Sequence, residues 1–251
     1  MSEGAGGEWF EDESFWTAWA PLMFDEARWA EVPAVVDQIE RLAGTRPGQA
    51  VLDACCGPGR HALEFASRGY RVTGLDLCAA YLEAARDSAA AWGVELELVR
   101  GDLRRYSRPG GFDLALNLYA SFGYFADQDG DLAALRALRD SLRPGGNLVL
   151  ETLGKETAAR DFTGGEWFER GGWTILTEYS VAGDWEALRN RWVMLRGDER
   201  REKTFDIRLY SGSELRAALA ASGFSSVRIM GGLDGSPYDQ DASGLVALAS
   251  R

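Results

Sequence analysis

Three aspartates in the first half of the chain each stand at or near the end of an apolar run. AVLDACC carries Asp53, YRVTGLDL carries Asp76 and VELELVRGD carries Asp102. Between the first two lies Cys55-Cys56-Gly57-Pro58-Gly59-Arg60-His61. Glycines at 57 and 59 let the backbone approach a ligand closely, and a helix opening behind them offers unpaired N–H groups. Asp76 follows the first glycine by about 20 residues, where a carboxylate can accept both hydroxyls of a ribose. Gly101-Asp102 offers a carboxylate to an adenine amino group, and Asn117 ends a fourth apolar run. Asp53, inside its run, can orient the turn or meet an ammonium group. The chemistry implied is the holding of a nucleoside. Gly57-Pro-Gly-Arg-His-Ala62 also matches the dinucleotide fingerprint in form, which keeps a nicotinamide cofactor open.

Few side chains are equipped for catalysis. His61 is the sole histidine. It is a candidate general base, since imidazole stays neutral near the positive end of a helix; its plainer role is local hydrogen bonding at the helix start. Tyr119, Ser121 and Tyr124 follow the fourth run, and Tyr210 lies further on. All four are candidates for an acceptor site, and the three tyrosines are candidate catalytic groups. Cys55, Cys56 and Cys78 form an odd, clustered set that makes a poor disulfide framework and fits a reducing cytoplasm. Adjacent cysteines on an extended chain face opposite ways, so with one histidine no metal site is expected. Cys55 is expected to pack under the turn with β-region dihedrals, chosen for fit rather than for reactivity. A thiolate role would need an electropositive setting, for which Arg60 and the helix start are the available sources.

The elements that position these residues follow from periodicity. Apolar runs near 50–56, 70–77, 94–102, 112–118 and 147–153 alternate with helical stretches ending at Gly69, at Gly93 and in a Pro144-Gly145-Gly146 turn. Such alternation specifies a doubly wound, Rossmann-like, mostly parallel sheet with helices on both faces. Residues 13–43 read as helical and unusually aromatic, with Phe15, Trp16, Trp19, Phe24 and Trp29. After Gly154 the pattern becomes antiparallel, with WTILTEYSV, ALRNRWVML and KTFDIRLY as three strands. A helix opened by the Ser211/Glu214 capping pattern and two last strands complete seven strands in the main sheet. The expected organisation is one domain: a helical cover over 1–47, a core over 48–153, an antiparallel insertion over 154–210 and closing elements over 211–251.

Composition sets outer bounds. The 251 residues carry a net charge of −12, which disfavours a nucleic-acid partner. No apolar run approaches the ~18 residues that a membrane helix requires, and the acidic start MSEGAGGEWFEDE lacks a signal-peptide core, so a cytoplasmic protein without a membrane partner is expected.

Together, VLDACCGPG, GLDL, GDL and LRPGG resemble, in order and spacing, the motifs of the class I S-adenosylmethionine (SAM) dependent methyltransferases, over most of the chain. SFGYF and RLYSGSEL are similar to segments of a bacterial subgroup acting on small molecules or without an assigned substrate. Cys55 departs from the pattern by replacing its first glycine, and Cys78 stands where serine is common. The resemblance implies SAM as cofactor and S-adenosylhomocysteine as product. It implies a cofactor site at Asp53, Cys55, Gly57, Gly59, Asp76, Leu77, Gly101, Asp102, Leu103, Asn117 and Leu118. Trp16 and Phe24 are expected as aromatic cover over the sulfonium. The expected reaction is in-line methyl transfer to an O, N or C atom of a small molecule. Alternatives are a SAM-fold enzyme running another reaction, such as a cyclisation, a nicotinamide oxidoreductase, and a SAM-binding partner protein without turnover.

Overall fold

The computed structural model describes residues 8–251. Its centre is β1 (Ala50–Ala54), buried along its whole length, as expected of a strand covered on both faces. β1 pairs in parallel with β2 (Arg71–Asp76) and β4 (Phe112–Asn117). β3 (Glu97–Arg100) extends the sheet past β2, and β5 (Leu142–Thr152) past β4. Antiparallel β11 (Leu245–Ser250) and then β10 (Ser226–Met230) close the far edge, giving the order β10-β11-β5-β4-β1-β2-β3. The doubly wound seven-stranded sheet expected from the sequence is present.

Period-two alternation divides the strands between two cores. Val51, Leu114, Leu116 and Val149 pack on one face against Val36 and Ile39 of α3 (Val32–Ala43) and Phe65 of α4 (Arg60–Ser67). Leu52, Ala115, Leu148 and Leu150 pack on the other against Leu135 and Leu138 of α6 (Gln128–Ser141) and Leu219 of α8 (Gly212–Ala221). Each such fully buried leucine or phenylalanine contributes roughly 1.5–3 kcal/mol. The Ser211–Glu214 capping box opens α8 as expected, and α5 (Ala79–Trp92) stops at Gly93 in the left-handed conformation.

Three local expectations need correction. The helical stretch over 13–43 is broken into α1 (Glu13–Met23), α2 (Glu26–Ala30) and α3, with Asp12 and Asp25 accepting from the first N–H groups of α1 and α2. The Pro144-Gly-Gly segment does not end a helix. α6 stops at Ser141, and the segment belongs to β5, where the register against β4 shifts between Phe112 and Leu114. The antiparallel sheet has four strands, not three, following the short helix α7 (Lys155–Arg160). They are β6 (Gly165–Arg170), β7 (Trp173–Ala182), β8 (Ala187–Arg196) and β9 (Glu199–Arg208) in sequential order. β6 escapes a periodicity reading because its Trp167 is turned out to solvent, 69% exposed.

A third apolar core joins the N-terminal helices to this second sheet. Phe15, Trp19 and Leu22 of α1 pack with Trp173, Ile175, Met194, Phe205 and Ile207. Among the described residues no helix is long and apolar enough to cross a membrane.

Candidate active site

The carboxyl ends of β1, β2 and β4, helix α1 and the inner face of the second sheet enclose a cavity of about 600 Å³, within the range usual for small-molecule sites. Asp76 organises its floor. Its Oδ2 accepts from the Gly57 N–H at 2.8 Å and its Oδ1 from the Cys78 N–H at 2.9 Å. Burial pushes its pKa up, while the N–H groups of Cys78 and Gly57 pull the other way. Phe24 lies over the turn, so close that a Cβ at Gly57 would stand 3.2 Å from its ring. Asp102 accepts from the Arg104 guanidinium at 2.6 Å, and Arg104 reaches back to Glu8 at 2.6 Å. Burial acts to raise the Asp102 pKa, but the Arg104 contacts outweigh it and the carboxyl stays below its usual range.

Asp53 is 2% exposed and its Oδ2 has no partner among the described residues. Burial raises its pKa to about 7, against a backbone N–H bond from Ala62 and with Asp76 adding to the rise. His61 lines the cavity with Nε2 unpartnered. Burial, with the Arg60 charge beside it, lowers its pKa to about 3, so the imidazole is neutral across the working pH range.

Cys55 does not sit under the turn. Its φ is +63°, the left-handed region, so it adopts the conformation of the glycine it replaces. It is accessible yet deep in the molecule, because the surface it exposes is cavity wall. Burial and the nearby Asp76 and Asp53 carboxylates push its pKa far up, so it is a thiol and a poor nucleophile. The cysteine under the turn is Cys56, whose Sγ would stand 2.9 Å from a Cβ at Gly74.

After β4 the backbone turns through Tyr119 and Ala120, both with φ of 55°. Two consecutive left-handed residues without glycine store strain, a feature that gathers at functional loops. The turn is held by Glu151, whose Oε2 accepts from the Tyr119 N–H at 3.2 Å and whose carbonyl accepts from the Ala120 N–H at 3.3 Å. It lays the Tyr119 ring 5.4 Å from that of His61. Ser121 donates to the Leu118 carbonyl at 3.0 Å. Tyr124 stands between Trp9 and Trp16, with ring separations of 4.7 and 6.1 Å, and burial keeps its hydroxyl protonated.

Asp53, Cys55, Gly57, His61, Asp76, Leu77, Gly101, Asp102, Leu103, Leu118, Tyr119, Ser121, Tyr124, Trp16 and Phe24 all reach this one cavity. Three expected residues do not. Gly59 begins α4, where a Cβ would stand 3.0 Å from that of Ala85. Asn117 is fully buried, donating to the Ala54 carbonyl at 3.2 Å. Tyr210 turns into the main core and donates to Asp131 at 2.7 Å. Its register just past β9 decides this, since Leu209 and Tyr210 are both buried and alternation alone favours neither side. The opposite wall went unread in the sequence. It comprises Glu166 on β6, Thr177 and Tyr179 on β7 and Asn190 on β8, with Tyr179 directly across from Asn190.

Residues 51–146 match the family model described as a methyltransferase domain. Within residues 51–146 the chain is therefore similar to a methyltransferase domain. It is 37% identical over 118 residues to a malonyl-[acyl-carrier protein] O-methyltransferase of Serratia marcescens, a match spanning 45% of this chain and 43% of that protein, less than half of each. It is 28% identical over 192 residues to dTDP-3-amino-3,6-dideoxy-alpha-D-glucopyranose N,N-dimethyltransferase of Streptomyces fradiae, covering 74% of each. The solved structure of SAM-bound CalS10, an amino pentose methyltransferase from Micromonospora echinaspora, superposes over 100% of both chains with a TM-score of 0.66 at 24% identity, a likeness of fold.

The residues lining this cavity fit SAM, the cofactor that the methyltransferase likeness implies. Asp76 keeps lone pairs for two hydroxyls after accepting its two N–H bonds, Asp53 has an unpartnered oxygen for an ammonium group, and Phe24, Trp16 and Tyr81 supply aromatic surface for a cation. Among the described residues no cluster of histidine, cysteine and carboxylate side chains is arranged to hold a metal.

Proposed function

We propose that this methyltransferase moves the methyl group of SAM to an oxygen or nitrogen of a small molecule enclosed between the Tyr119–Tyr124 loop and the inner face of the second sheet. The observation carrying this reading is one cavity that joins the carboxylates and glycine turn at the strand ends to an opposite wall where Thr177, Tyr179 and Asn190 offer neutral hydrogen-bonding groups beside Glu166. SAM supplies a methyl on a positively charged sulfur. The protein's task is then to align the acceptor with it, and positioning alone can supply roughly 7–11 kcal/mol. Asp76 is assigned to the ribose hydroxyls, Asp102 to the adenine amino group and Asp53 to the ammonium.

On the acceptor side, neutral His61 can accept a hydrogen bond from a hydroxyl or amine. A pKa of about 3 makes it a positioning group rather than a strong base. Tyr119, Ser121, Tyr124, Thr177, Tyr179 and Asn190 complete the set. That set suits a hydroxylated or amine-bearing acceptor, and the Streptomyces fradiae relative is named for an amino-sugar substrate. A net charge of −12 argues against RNA, DNA or an anionic membrane surface as partner. Three free thiols fit a reducing, cytoplasmic setting.

The test is transfer of label from methyl-labelled SAM in an extract of the source cells, followed by fractionation. Label entering the small-molecule fraction supports the proposal. Label entering only tRNA, rRNA or intact protein refutes it.

A further inference from the structure

The second sheet pairs the acids of its outer face but not the one on its inner face. Outside, Glu178 lies 2.8 Å and Glu202 2.6 Å from Arg191, and Asp206 lies 2.8 Å from Arg189, each pair reaching across neighbouring strands. Alternation turns Glu166, Phe168 and Arg170 of β6 inward to the cavity. Arg170 is satisfied there. It lies 3.3 Å from Asp25, donates to the Leu22 carbonyl at 3.2 Å and stands 5.3 Å from the centre of the Phe168 ring. Glu166, exposed at the open side of the cavity, has no lysine or arginine nitrogen within 4 Å among the described residues. The other two arginines lining the cavity are engaged elsewhere. Arg28 lies 3.8 Å from Glu31 and favours the charged form of the buried Glu151. Arg60 stands in the glycine turn, stacked 4.6 Å from the centre of the Tyr119 ring and 5.4 Å from that of Phe24. The wall facing the glycine turn thus offers one unpaired carboxylate set among apolar groups such as Leu22, Ile175, Leu188 and Ile207. A phosphate brought there would lose water beside Glu166 with no cation to receive it, whereas an ammonium would find its counter-charge.

We propose that the acceptor is an amine with an apolar body and no phosphate, whose ammonium is held by Glu166 while its methyl-accepting oxygen or nitrogen lies toward the Tyr119–Tyr124 loop. This rests on the function proposed above and narrows it. A protonated amine has no lone pair with which to attack a methyl group, so the ammonium at Glu166 is not the methylated atom. The acceptor is therefore bifunctional, with its cation and its accepting atom at separate ends of the apolar body. In transfer, the lone pair of the accepting atom forms the new bond to carbon, the C–S pair returns to sulfur as S-adenosylhomocysteine, and the proton of the accepting group passes to solvent. Glu166 takes no part in that step. It selects which molecule enters, and the charge that admits an amine turns away a nucleoside-diphosphate sugar.

The experiment measures binding by saturation-transfer NMR with S-adenosylhomocysteine in excess. Three phenols share one body and differ in the charge of the tail: tyramine is cationic, 4-ethylphenol neutral and 3-(4-hydroxyphenyl)propionate anionic. dTDP is the diphosphate probe. The unaltered protein is expected to prefer tyramine to 4-ethylphenol by about two- to five-fold, the range of an exposed ion pair, and to bind the propionate most weakly of the three. dTDP at millimolar level is expected not to displace tyramine. Glu166→Gln is expected to remove the preference for tyramine, and Glu166→Lys to turn it toward the propionate by a similar factor. Both variants are expected to keep S-adenosylhomocysteine affinity within about two-fold by calorimetry, since Glu166 stands on the opposite wall. A general attraction of cations to a protein of charge −12 survives the loss of one carboxylate, so a Glu166→Gln protein that still prefers tyramine overturns the proposal. So does an unaltered protein that binds none of the phenols, prefers the propionate or exchanges tyramine for dTDP. Each of these results leaves the methyltransferase reading in place. Failure of the unaltered protein to bind S-adenosylhomocysteine at all overturns that reading, and the proposal with it.

Discussion

Asp53→Asn separates what Asp53 does for the fold from what it does for a ligand. In the free protein the carboxyl is buried with one oxygen unpartnered, and its pKa stands at about 7 against an ordinary 3.8. An acid whose pKa is raised by folding costs no stability below its unfolded pKa. The cost grows as pH rises toward the folded pKa and is complete above it. At pH 8 the cost is about 4 kcal/mol, from ~1.4 kcal/mol for each pH unit between the two values. At pH 5.5 it is roughly half that, and near pH 4 it is almost gone. The amide keeps the bond from the Ala62 N–H but buries an unpaired NH2, which costs about 1–3 kcal/mol. The net expectation is that Asp53→Asn stabilises the free protein at pH 8 by about 1–3 kcal/mol, raising Tm by roughly 2–4 °C per kcal/mol in a chain of this size. Scanning calorimetry at pH 8 and pH 5.5, with and without S-adenosylhomocysteine, reads this directly. The advantage should shrink at pH 5.5, and the rise in Tm on adding ligand should be smaller in the variant. A variant no more stable than the parent at pH 8, or an advantage that does not change with pH, refutes the reasoning.

Three further substitutions probe other parts of the site. Cys55→Gly should stabilise the fold by about 1–2 kcal/mol, because a left-handed φ of +63° carries that penalty for a residue with a Cβ, and should keep S-adenosylhomocysteine affinity within about three-fold by calorimetry. Asp76→Ala should weaken S-adenosylhomocysteine by at least ten-fold, since it removes a charged acceptor and also frees the Gly57 and Cys78 N–H groups that shape the turn; unchanged affinity in the same titration would remove Asp76 from the ribose. Tyr210→Phe should lower stability by about 1–3 kcal/mol in urea unfolding through its lost bond to Asp131, and should leave ligand affinity unchanged, as befits a residue outside the cavity.

The parts of this molecule that were legible in its sequence are those whose cause is local. The strands of the main sheet are short apolar runs because both faces are covered, and the helices between them carry their own stop signals. Asp76 and the glycine turn are joined by contacts within one strand–helix–strand unit, so spacing alone brings them together. Cys55 was misread for a different reason: its type suggested packing, while the position it fills in a glycine motif demands a left-handed backbone. Spacing was the better guide than side-chain chemistry. β6 was invisible because one of its two aromatic residues faces solvent, which cancels the alternation that marks a half-buried strand.

The same division explains why the acceptor is harder to read than the cofactor. The wall proposed for the cofactor is built from segments 53–61, 76–77 and 101–103, each ending a strand whose neighbours in the sheet follow from the fold class. The wall proposed for the acceptor is built from Glu166, Thr177, Tyr179 and Asn190, which meet only through the pairing of β6, β7 and β8 and the docking of that sheet on α1. A one-residue slip in any of those pairings would turn a different set of side chains inward. In β7 that set would be Leu176 and Glu178 in place of Thr177 and Tyr179, an acidic and apolar wall instead of a neutral hydrogen-bonding one. Under the proposed function, acceptor choice therefore resides in register, a long-range property, whereas the cofactor side is set within the strand–turn–helix unit from which Arg60 stacks on Phe24 and Tyr119.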